Sequence, residues 1–389
     1  MKLCIIGTGM YVCGRQTDGF GTILPAVSVF QRQYRLFTQI HVVGTRVVGA
    51  REAELKAKQL ANLTGIRLPL QFYPNQEDSV QSYLDVLEKV EPPGCAIVSV
   101  PDHLHCEVAS ACLKRGLHTL VVKPLTPTVK EAQQLIDLAH EHNVYGAVEF
   151  HKRWDRQNRM LREAFRAGKL GIPLYTWTEY SQRKSIPSTV FRSWVERTNI
   201  LQYLGVHYID VVRFVTGAVP LRVMATGQKV WLTEQGVNAH DAIQCLVEWE
   251  TDAGHTFIQT LLVNWIDPET SSAMSDQKLK FIGTSGRYEG DQKERGVRIL
   301  LDDYPLEEPN PDFCRPYHLE DGHWAWEGYG VDSITSFLSD VASLLEGEAT
   351  PQDFEGIRPT FSESLFSTAV IEAAEKSLAD QSSWKILDL

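Results

Sequence analysis

The stretch that decides the fold of the N-terminal half runs Leu3-Cys4-Ile5-Ile6-Gly7-Thr8-Gly9-Met10-Tyr11-Val12-Cys13-Gly14. Its opening residues form an apolar run typical of a short buried strand. Gly7 and Gly9 follow at once, and closely spaced glycines let a strand turn tightly while a pyrophosphate approaches the backbone. Gly14 comes two residues later than the third glycine of the strict G-x-G-x-x-G spacing, so a plain turn stays open as an alternative.

The rest of residues 1–150 alternates apolar runs with helical patterns, which is typical of a parallel sheet with crossover helices. The further predicted strands cover 40–44, 96–100, 118–122 and 145–150. The predicted helices cover 51–63, 79–89, 104–115 and 129–142. Residues 15–25 look like an insertion between the glycine turn and the next helix. The sequence therefore predicts a doubly wound α/β domain over residues 1–150, with a dinucleotide at the glycine turn.

The pattern changes after Phe150. A helix is predicted over 156–167, and alternating strand patterns then dominate. These strands cover 174–180, 221–230, 242–250, 256–263 and 279–284, and they predict one large, mostly antiparallel sheet. Two closing helices are predicted over 333–345 and 362–380. Residues 151–389 are therefore expected to form a second, α+β domain that binds the substrate.

The bulk properties restrict the class of protein. A chain of 389 residues exceeds what one core usually organises, which favours two domains. A formal net charge of −11, without a long Lys/Arg run, argues against a nucleic-acid partner. No apolar stretch approaches the ~20 residues of a membrane helix, and the N-terminal apolar run is too short for a signal peptide.

The cysteines indicate the compartment. There are seven, and they are scattered along the chain without a C-x-x-C pair. Such a set suits buried thiols in a reducing compartment better than a disulfide framework or a zinc site. We therefore expect a cytoplasmic protein without a metal centre.

The end of the second predicted strand bears on cofactor choice. NAD enzymes usually place an acid there to bind the ribose diol, whereas this strand ends in Gly44-Thr45-Arg46. Thr45 and Arg46 could receive a 2′-phosphate, and Arg46 could equally be a surface residue. The cofactor is left open as NAD or NADP.

Several motifs resemble those of one family. Val98-Ser99-Val100-Pro101-Asp102-His103-Leu104-His105 is similar to a strand-end "TPNxxH" motif, and Val122-Lys123-Pro124 resembles "EKP" with Val in place of Glu. Residues 150–155 resemble an "RRYD" stretch, 205–210 a "GxHxxD" helix and 282–286 an "xGTxG" turn. In this order the motifs resemble the glucose-fructose oxidoreductase, inositol dehydrogenase and MocA family, and they span nearly the whole chain.

The resemblance implies an NAD(P)-dependent oxidoreductase with an N-terminal Rossmann domain. The glycine turn, the end of the second predicted strand and the family-like motifs together predict the cofactor contacts. These are Gly7, Thr8, Gly9, Met10, Tyr11, Thr45, Arg46, Val100, Pro101, His105 and Lys123. The expected reaction moves a hydride between nicotinamide and a secondary ring hydroxyl of a sugar, glycoside or cyclitol.

Such a reaction needs an acid or base for the hydroxyl proton. Lys123 follows an apolar strand, at the sheet edge where ligands bind, although a lysine there is often a solvated loop residue. His207 is predicted on a helix, with Tyr203 four residues before it and Asp210 three after it, so that all three can share a face. The family usually has Asp where this chain has Tyr203, which therefore bonds the reacting hydroxyl or merely fills space. Lys123, His207 and Tyr203 are the predicted catalytic residues.

The predicted substrate residues mix cations, amides and aromatic rings. The cations could select an anionic sugar or could be solvated, and the tryptophans could stack on a sugar or belong to the core. This set comprises Lys123, His151, Lys152, Arg153, Trp154, Arg183, Lys184, Asn199, Gln202, Tyr203, His207 and Trp265, and Trp194 is a further stacking candidate.

Two other functions stay open. The first is redox-assisted glycoside cleavage, in which transient oxidation of a ring carbon permits elimination of the aglycone. The second is a sensor that binds dinucleotide without chemistry, against which Lys123 and His207 count. Fold alone does not separate these functions. The resemblance also implies a homo-oligomer, a dimer or a tetramer.

Overall fold

The structure is a computed structural model that describes residues 1–387. Strands alternate with helices along residues 1–154. These elements are β1 (Lys2–Ile6), α1 (Met10–Cys13), α2 (Ile23–Tyr34), β2 (Gln39–Val43), α3 (Val47–Thr64), β3 (Leu70–Tyr73), α4 (Ser82–Leu87), β4 (Gly94–Val98), α5 (His105–Lys114), β5 (His118–Val122), α6 (Val129–Glu141) and β6 (Gly146–Glu149).

The six strands form one parallel sheet in the order β3-β2-β1-β4-β5-β6. Lys2 at the start of β1 lies opposite both Gln39 of β2 and Gly94 of β4. The central strands are buried, because helices cover a parallel sheet on both faces, and they therefore form continuous apolar runs in the sequence. Since the strand order reverses between β1 and β4, ligands are expected at the carboxyl ends there. The predicted doubly wound fold is confirmed.

The main difference from the predicted sheet is β3. This strand is short, partly exposed at the sheet edge and bounded by Pro69 and Pro74, so it carries no apolar run that would mark it in the sequence. The other five strands of this sheet and the helices α3 to α6 lie where they were predicted, with shifted ends. For example, α3 begins at Val47 instead of residue 51, and α4 is limited to Ser82–Leu87.

A second set of elements follows from residue 155. They are α7 (Arg156–Arg166), β7 (Pro173–Arg183), α8 (Val206–Thr216), β8 (Val219–Gln228), α9 (Trp231–Glu234), β9 (Ala242–Glu250), β10 (Thr256–Asp267), β11 (Ser275–Gly283), β12 (Arg287–Asp291), β13 (Ile299–Leu301), β14 (Tyr304–Glu307), β15 (Arg315–His318), β16 (Trp324–Glu327), α10 (Tyr329–Glu346), α11 (Phe361–Ala379) and β17 (Lys385–Ile386).

The larger sheet has seven strands in the order β12-β11-β7-β10-β9-β8-β17. Every neighbouring pair is antiparallel except β7 with β10. Side chains alternate along β9 and β10 between a buried and a half-exposed face, as a sheet covered on one side requires. The predicted mostly antiparallel sheet is confirmed.

The chain divides into two compact units that differ from the predicted boundary at residue 150. The first comprises Met1–Thr126, Lys130–Trp154 and Asp312–Ser364, and the second comprises Pro127–Val129, Asp155–Pro311 and the described part of Leu365–Leu389. The segment Asp312–Ser364 belongs to the first unit because α10, which lies in this segment, packs against that unit's core. Ile334 and Phe337 of α10 share one buried core with Phe30 of α2.

Candidate active site

The two glycines after β1 have different roles. Gly7 has φ +130°, and a Cβ there would lie 2.1 Å from the carbonyl oxygen of Ser99. The fold itself therefore requires glycine at this position. Gly9 has φ −82°, and a Cβ there would have no atom within 4 Å. The space beside Gly9 at the start of α1 is open, as a site for a pyrophosphate must be.

The late third glycine shortens the first helix. Gly14 has φ +71°, caps α1 and directs the chain into a loop before α2 begins at Ile23. The ammonium of Lys56 on α3 fastens this loop, because it donates to the carbonyl oxygens of Thr17 and Gly19 at 2.6 and 2.8 Å. The predicted insertion thus runs to residue 22, while residues 23–25 already belong to α2.

A cation follows β2, and an acid from another part of the chain contacts the start of α3. Thr45 and Arg46 are exposed, and Arg46 directly precedes α3. The backbone N–H of Val47 donates to the carboxylate of Asp78 at 2.8 Å. Asp78 was not predicted in the site, because it follows β3, a strand that the sequence does not reveal.

His105 connects the ends of β4 and β5. Its ring nitrogens lie 2.7 Å from the carbonyl oxygen of Pro124 and 2.9 Å from that of Val100. The ring is buried, while Val100 and Pro101 stay partly exposed beside it. The structure therefore places His105 as a brace for the turn that carries Lys123.

Lys123 is buried at the carboxyl end of β5, with only 8% of its surface exposed. Desolvation lowers the pKa of its ammonium to about 8, against the opposing charges of Asp102 and Glu149. A lysine with a pKa near neutral exchanges protons readily at physiological pH. The burial favours a chemical role over that of a solvated loop residue.

This burial predicts a gain in stability for Lys123→Met at pH 7. The pKa falls from the ordinary 10.5 to about 8, and about 1.4 kcal/mol per pKa unit makes the buried ammonium cost roughly 3 kcal/mol. Removal of the charge should raise the free energy of unfolding by about 1–3 kcal/mol.

The gain should depend on pH, because the unfolded chain binds the proton more tightly than the folded one. The free-energy cost of burying the Lys123 ammonium is complete below pH 8 and is lost as the pH rises through 10.5. The stability gain of Lys123→Met should therefore shrink between these two pH values. Urea unfolding at pH 7 and pH 10 measures it, with the exposed Lys130→Met as control. A loss of stability at pH 7 would contradict the costly burial of Lys123.

His207 and Tyr203 belong to the second unit. His207 and Asp210 are buried on α8. Tyr203 lies in a π-helical turn, Leu201–Gly205, immediately before that helix. Single π turns are frequent at functional sites. The helix that the sequence predicts through all three residues thus begins only at Val206, so Tyr203 projects from a differently wound turn.

Tyr203 packs among other aromatic rings. Its ring centroid lies 4.8 Å from that of Phe191, 6.0 Å from Trp194 and 6.1 Å from Trp265. Trp265 is fully buried and donates from its indole N–H to Gln182 at 3.0 Å. The structure favours a packing role for Trp265 over stacking on a sugar, while Tyr203 stays partly exposed.

The other predicted substrate residues of the second unit are largely engaged within it. Asn199 donates to Glu375 and accepts from the backbone N–H of Gln202 at 2.9 Å, so it holds the turn before Tyr203. Arg183 donates to the carbonyl oxygen of Ser271, and the Lys184 ammonium lies 5.0 Å from the ring centroid of Trp231.

The cations after β6 belong to the first unit. His151, Lys152 and Arg153 form a buried 3₁₀ turn, followed by the partly exposed Trp154. Arg153 lies 3.9 Å from the carboxylate of Glu363. Their burial argues against a solvated loop. They follow the carboxyl end of β6, next to the carboxyl end of β5 where Lys123 lies.

The sequence also missed buried polar residues beside Lys123. Glu149 ends β6, and Ser333 on α10 donates to it at 2.5 Å. These two lie 184 positions apart, so no local pattern could have paired them. Within residues 1–387, no cluster of three or more candidate metal ligands occurs, and no helix is long and apolar enough to cross a bilayer.

The first unit has the features of a dinucleotide-binding α/β protein. Its strand order reverses next to an open glycine turn, and a buried lysine lies at the carboxyl ends of the same strands. Residues 27–150 match the model of an oxidoreductase family with an NAD-binding Rossmann fold, and residues 158–289 match the GFO/IDH/MocA C-terminal domain. The chain therefore belongs to the Gfo/Idh/MocA family, as its motifs predicted.

Relatives with assigned names are similar over part of their length. The rhizopine catabolism protein MocA of Rhizobium meliloti is 26% identical over 168 residues, which are 42% of this chain and 50% of that protein. The scyllo-inositol 2-dehydrogenase (NADP(+)) of Bacillus subtilis is 33% identical over 137 residues, 33% of this chain and 37% of that protein. The chain thus matches about half or less of the length of these two relatives.

A solved structure shares the whole architecture. The inositol dehydrogenase homologue from Azotobacter vinelandii, complexed with NADH and myo-inositol, superposes with a TM-score of 0.70 at 17% identity. The match covers 99% of this chain and 97% of that one. At this identity, the likeness establishes a shared fold.

Proposed function

We propose that this protein is an NAD(P)-dependent dehydrogenase of a sugar, glycoside or cyclitol. The observation that carries the proposal is the buried Lys123, with a pKa of about 8, at the ligand-binding edge of a Rossmann sheet. Family membership and the open space at Gly9 support it. The two relatives named above bear on the class of substrate only in part, since each matches a limited stretch.

The residues of the first unit fit a dinucleotide. The backbone from Gly7 to Tyr11 would hold the pyrophosphate at the start of α1, and Thr45 with Arg46 would meet the adenosine ribose. When bound, the nicotinamide supplies hydride-transfer chemistry to the site.

In our proposal, Lys123 exchanges the proton of the reacting hydroxyl. Its neutral amine accepts this proton during oxidation of the alcohol, and its ammonium returns the proton during reduction. His207, with Tyr203 before it, is proposed to continue the proton path. Oxidation should therefore become faster as the pH rises through about 8.

A substrate screen tests the proposal. Neutral sugars, cyclitols, uronates and aryl glycosides are offered with NAD⁺ and with NADP⁺, while reduced nicotinamide and released aglycone are recorded together. Stoichiometric accumulation of reduced cofactor supports a dehydrogenase. Aglycone release that requires the oxidised dinucleotide but accumulates no reduced cofactor would instead indicate redox-assisted cleavage. Binding without turnover would indicate a sensor.

The same screen tests the anionic-sugar hypothesis. Lys152 and Arg153 supply cations in the first unit, whereas Arg183 and Lys184 in the second are held by Ser271 and Trp231. A preference for uronates that weakens with salt would support it, and faster turnover of neutral rings would contradict it.

Arg46 is the residue on which cofactor choice should depend. Its exposed guanidinium at the start of α3 can pair with a 2′-phosphate. Arg46→Ala should weaken NADP binding by about tenfold or more and NAD binding by much less. Titration calorimetry with both cofactors measures the difference. Arg35→Ala is a matched control, because Arg35 is exposed before β2, at the amino ends of the strands. Equal losses for NAD and NADP would leave Arg46 a surface residue.

We also propose a cytoplasmic homo-oligomer. Exposed apolar side chains on the larger sheet, including Leu174 and Tyr175 of β7 and Ile266 of β10, support self-association. Light scattering coupled to gel filtration tests the subunit number, and a monomer at working concentration would contradict it.

A further inference from the structure

Glu149 is a buried acid that takes no part in the proton exchange proposed for Lys123. It ends β6 and lies opposite Val122 of β5, so it is next to the residue that precedes Lys123. Only 2% of its surface is exposed. Burial of a carboxylate is costly unless hydrogen bonds and opposite charges compensate for it. A retained acid here therefore needs an explanation.

Two elements of the same unit direct polar groups at this carboxylate. Ser333 in the first turns of α10 donates its hydroxyl to Oε1 at 2.5 Å. The Nδ1 atom of His151 lies 3.1 and 3.0 Å from the two carboxylate oxygens. Burial first, and then the charge of Glu149, raises the pKa of Tyr11 on α1 well above its ordinary value. Glu149 thus connects the turn after β6 with α10, and its charge also acts on Tyr11 of the glycine turn.

We propose that Glu149 is a positioning residue of the active site, whose carboxylate fixes the His151 ring and holds a negative charge beside Lys123. This inference rests on the proposed function, in which Lys123 exchanges the substrate proton. A carboxylate that contacts Nδ1 favours the tautomer with the proton on Nδ1, which leaves Nε2 as an acceptor. Glu149 thereby orients a residue that the sequence places near the substrate.

The charge of Glu149 acts on Lys123 through space. Desolvation lowers the Lys123 pKa, and two acids oppose this effect, Asp102 from the turn after β4 and Glu149 from β6. The other titratable groups near the carboxyl ends of these strands are Tyr11, His105, His151 and Lys152. Arg153 adds a positive charge in the same turn as His151. Without Glu149, the Lys123 ammonium would lose one of these two favourable charges. The acid therefore keeps the Lys123 pKa near neutral instead of lower.

The test is the pKa of Lys123 in the cofactor-free protein. The ¹³Cε signal of Lys123 in selectively labelled protein is assigned by its loss in Lys123→Met and followed against pH. Glu149→Gln should lower the midpoint by roughly one pH unit, the scale for loss of a nearby opposite charge. Ser333→Ala, the matched uncharged control, removes a hydrogen bond to the same carboxylate and should leave the midpoint near 8.

Two further measurements separate charge from packing. Glu149→Asp keeps the charge and should restore the wild-type midpoint, and the pH profile of kcat should shift with the midpoint in Glu149→Gln. In the unmodified protein, ¹⁵N spectroscopy should find the His151 proton on Nδ1. An unchanged Lys123 midpoint in Glu149→Gln, or a His151 proton on Nε2, overturns the inference.

These outcomes are independent of turnover. A shifted midpoint in a protein that oxidises no sugar would refute the proposed function and leave the positioning role of Glu149 intact. An unshifted midpoint in an active dehydrogenase would refute the positioning role of Glu149 and leave the proposed function intact.

Discussion

Gly9→Val should abolish dinucleotide binding and leave the protein folded. The backbone at Gly9 has φ −82°, which any residue adopts, and a Cβ there would meet no atom within 4 Å. The backbone and its neighbours therefore accommodate a Cβ at this position. A bound pyrophosphate must approach this same position, and a valine would fill the space it needs. We expect the affinity for both NAD and NADP to fall by about 100-fold or more, as measured by calorimetry.

Gly7→Ala is the matched control, because it should fail for a different reason. Its Cβ would lie 2.1 Å from the carbonyl oxygen of Ser99, at a φ of +130° that disfavours side chains. This variant should lose several kcal/mol of stability, the scale of severe core clashes. Thermal unfolding thus distinguishes the two glycines. If Gly9→Val bound dinucleotide as the wild type does, the N-terminal turn would have to be removed from the proposed site.

The sequence predicted most of the first sheet because helices bury its strands on both faces. Burial on both sides makes β1, β4 and β5 continuous apolar runs, which are visible without tertiary information. Several strands that escaped prediction are short and exposed. For example, β13 and β14 form a short hairpin whose residues are all exposed, so neither an apolar run nor a clean alternation marks them.

The domain boundary was harder to predict, because it depends on which sheet a helix covers. The amphipathic pattern of α10 is visible in the sequence, but it does not reveal its partner. Phe337 packs in the core of the first unit, more than 180 positions after β6, the last strand of that unit's six-stranded sheet. Only the folded chain shows that Asp312–Ser364 returns to the first unit.

The motifs predict Lys123 and His207 as catalytic residues, because each lies within a local sequence signature. The groups around Lys123 come from distant parts of the chain and follow no signature. Glu149 belongs to none of the family-like motifs. Its partner Ser333 lies on α10, 184 positions further along the chain. The surroundings that set a pKa are therefore less predictable from sequence than the residue that titrates.

Lys123→Met should bind dinucleotide normally and lose at least ~100-fold in turnover, the usual scale for removal of a positioned acid or base. The methionine fills a similar volume and carries no proton to exchange. Lys123→Arg is the informative control, since it keeps the positive charge but does not deprotonate in the accessible pH range. An arginine variant as inactive as Met would assign the role to proton exchange, and an active one would assign it to charge.

His207→Ala should lose turnover on the same scale, and the double variant then tests whether the two residues cooperate. Lys123 and His207 belong to different compact units, so their cooperation is a functional question that kinetics can answer. If both serve one proton path, the double variant should lose little more than the worse single variant, because groups that act as a unit are not additive. Losses that multiply would mean two independent roles.

Tyr203→Phe tests whether the tyrosine hydroxyl takes part in proton transfer. A severe loss of turnover would place this hydroxyl on the proton path, and near-normal turnover would assign Tyr203 to packing against Phe191 and Trp265. Normal turnover in both Lys123→Met and His207→Ala would refute the mechanism, and the fold would then carry another chemistry.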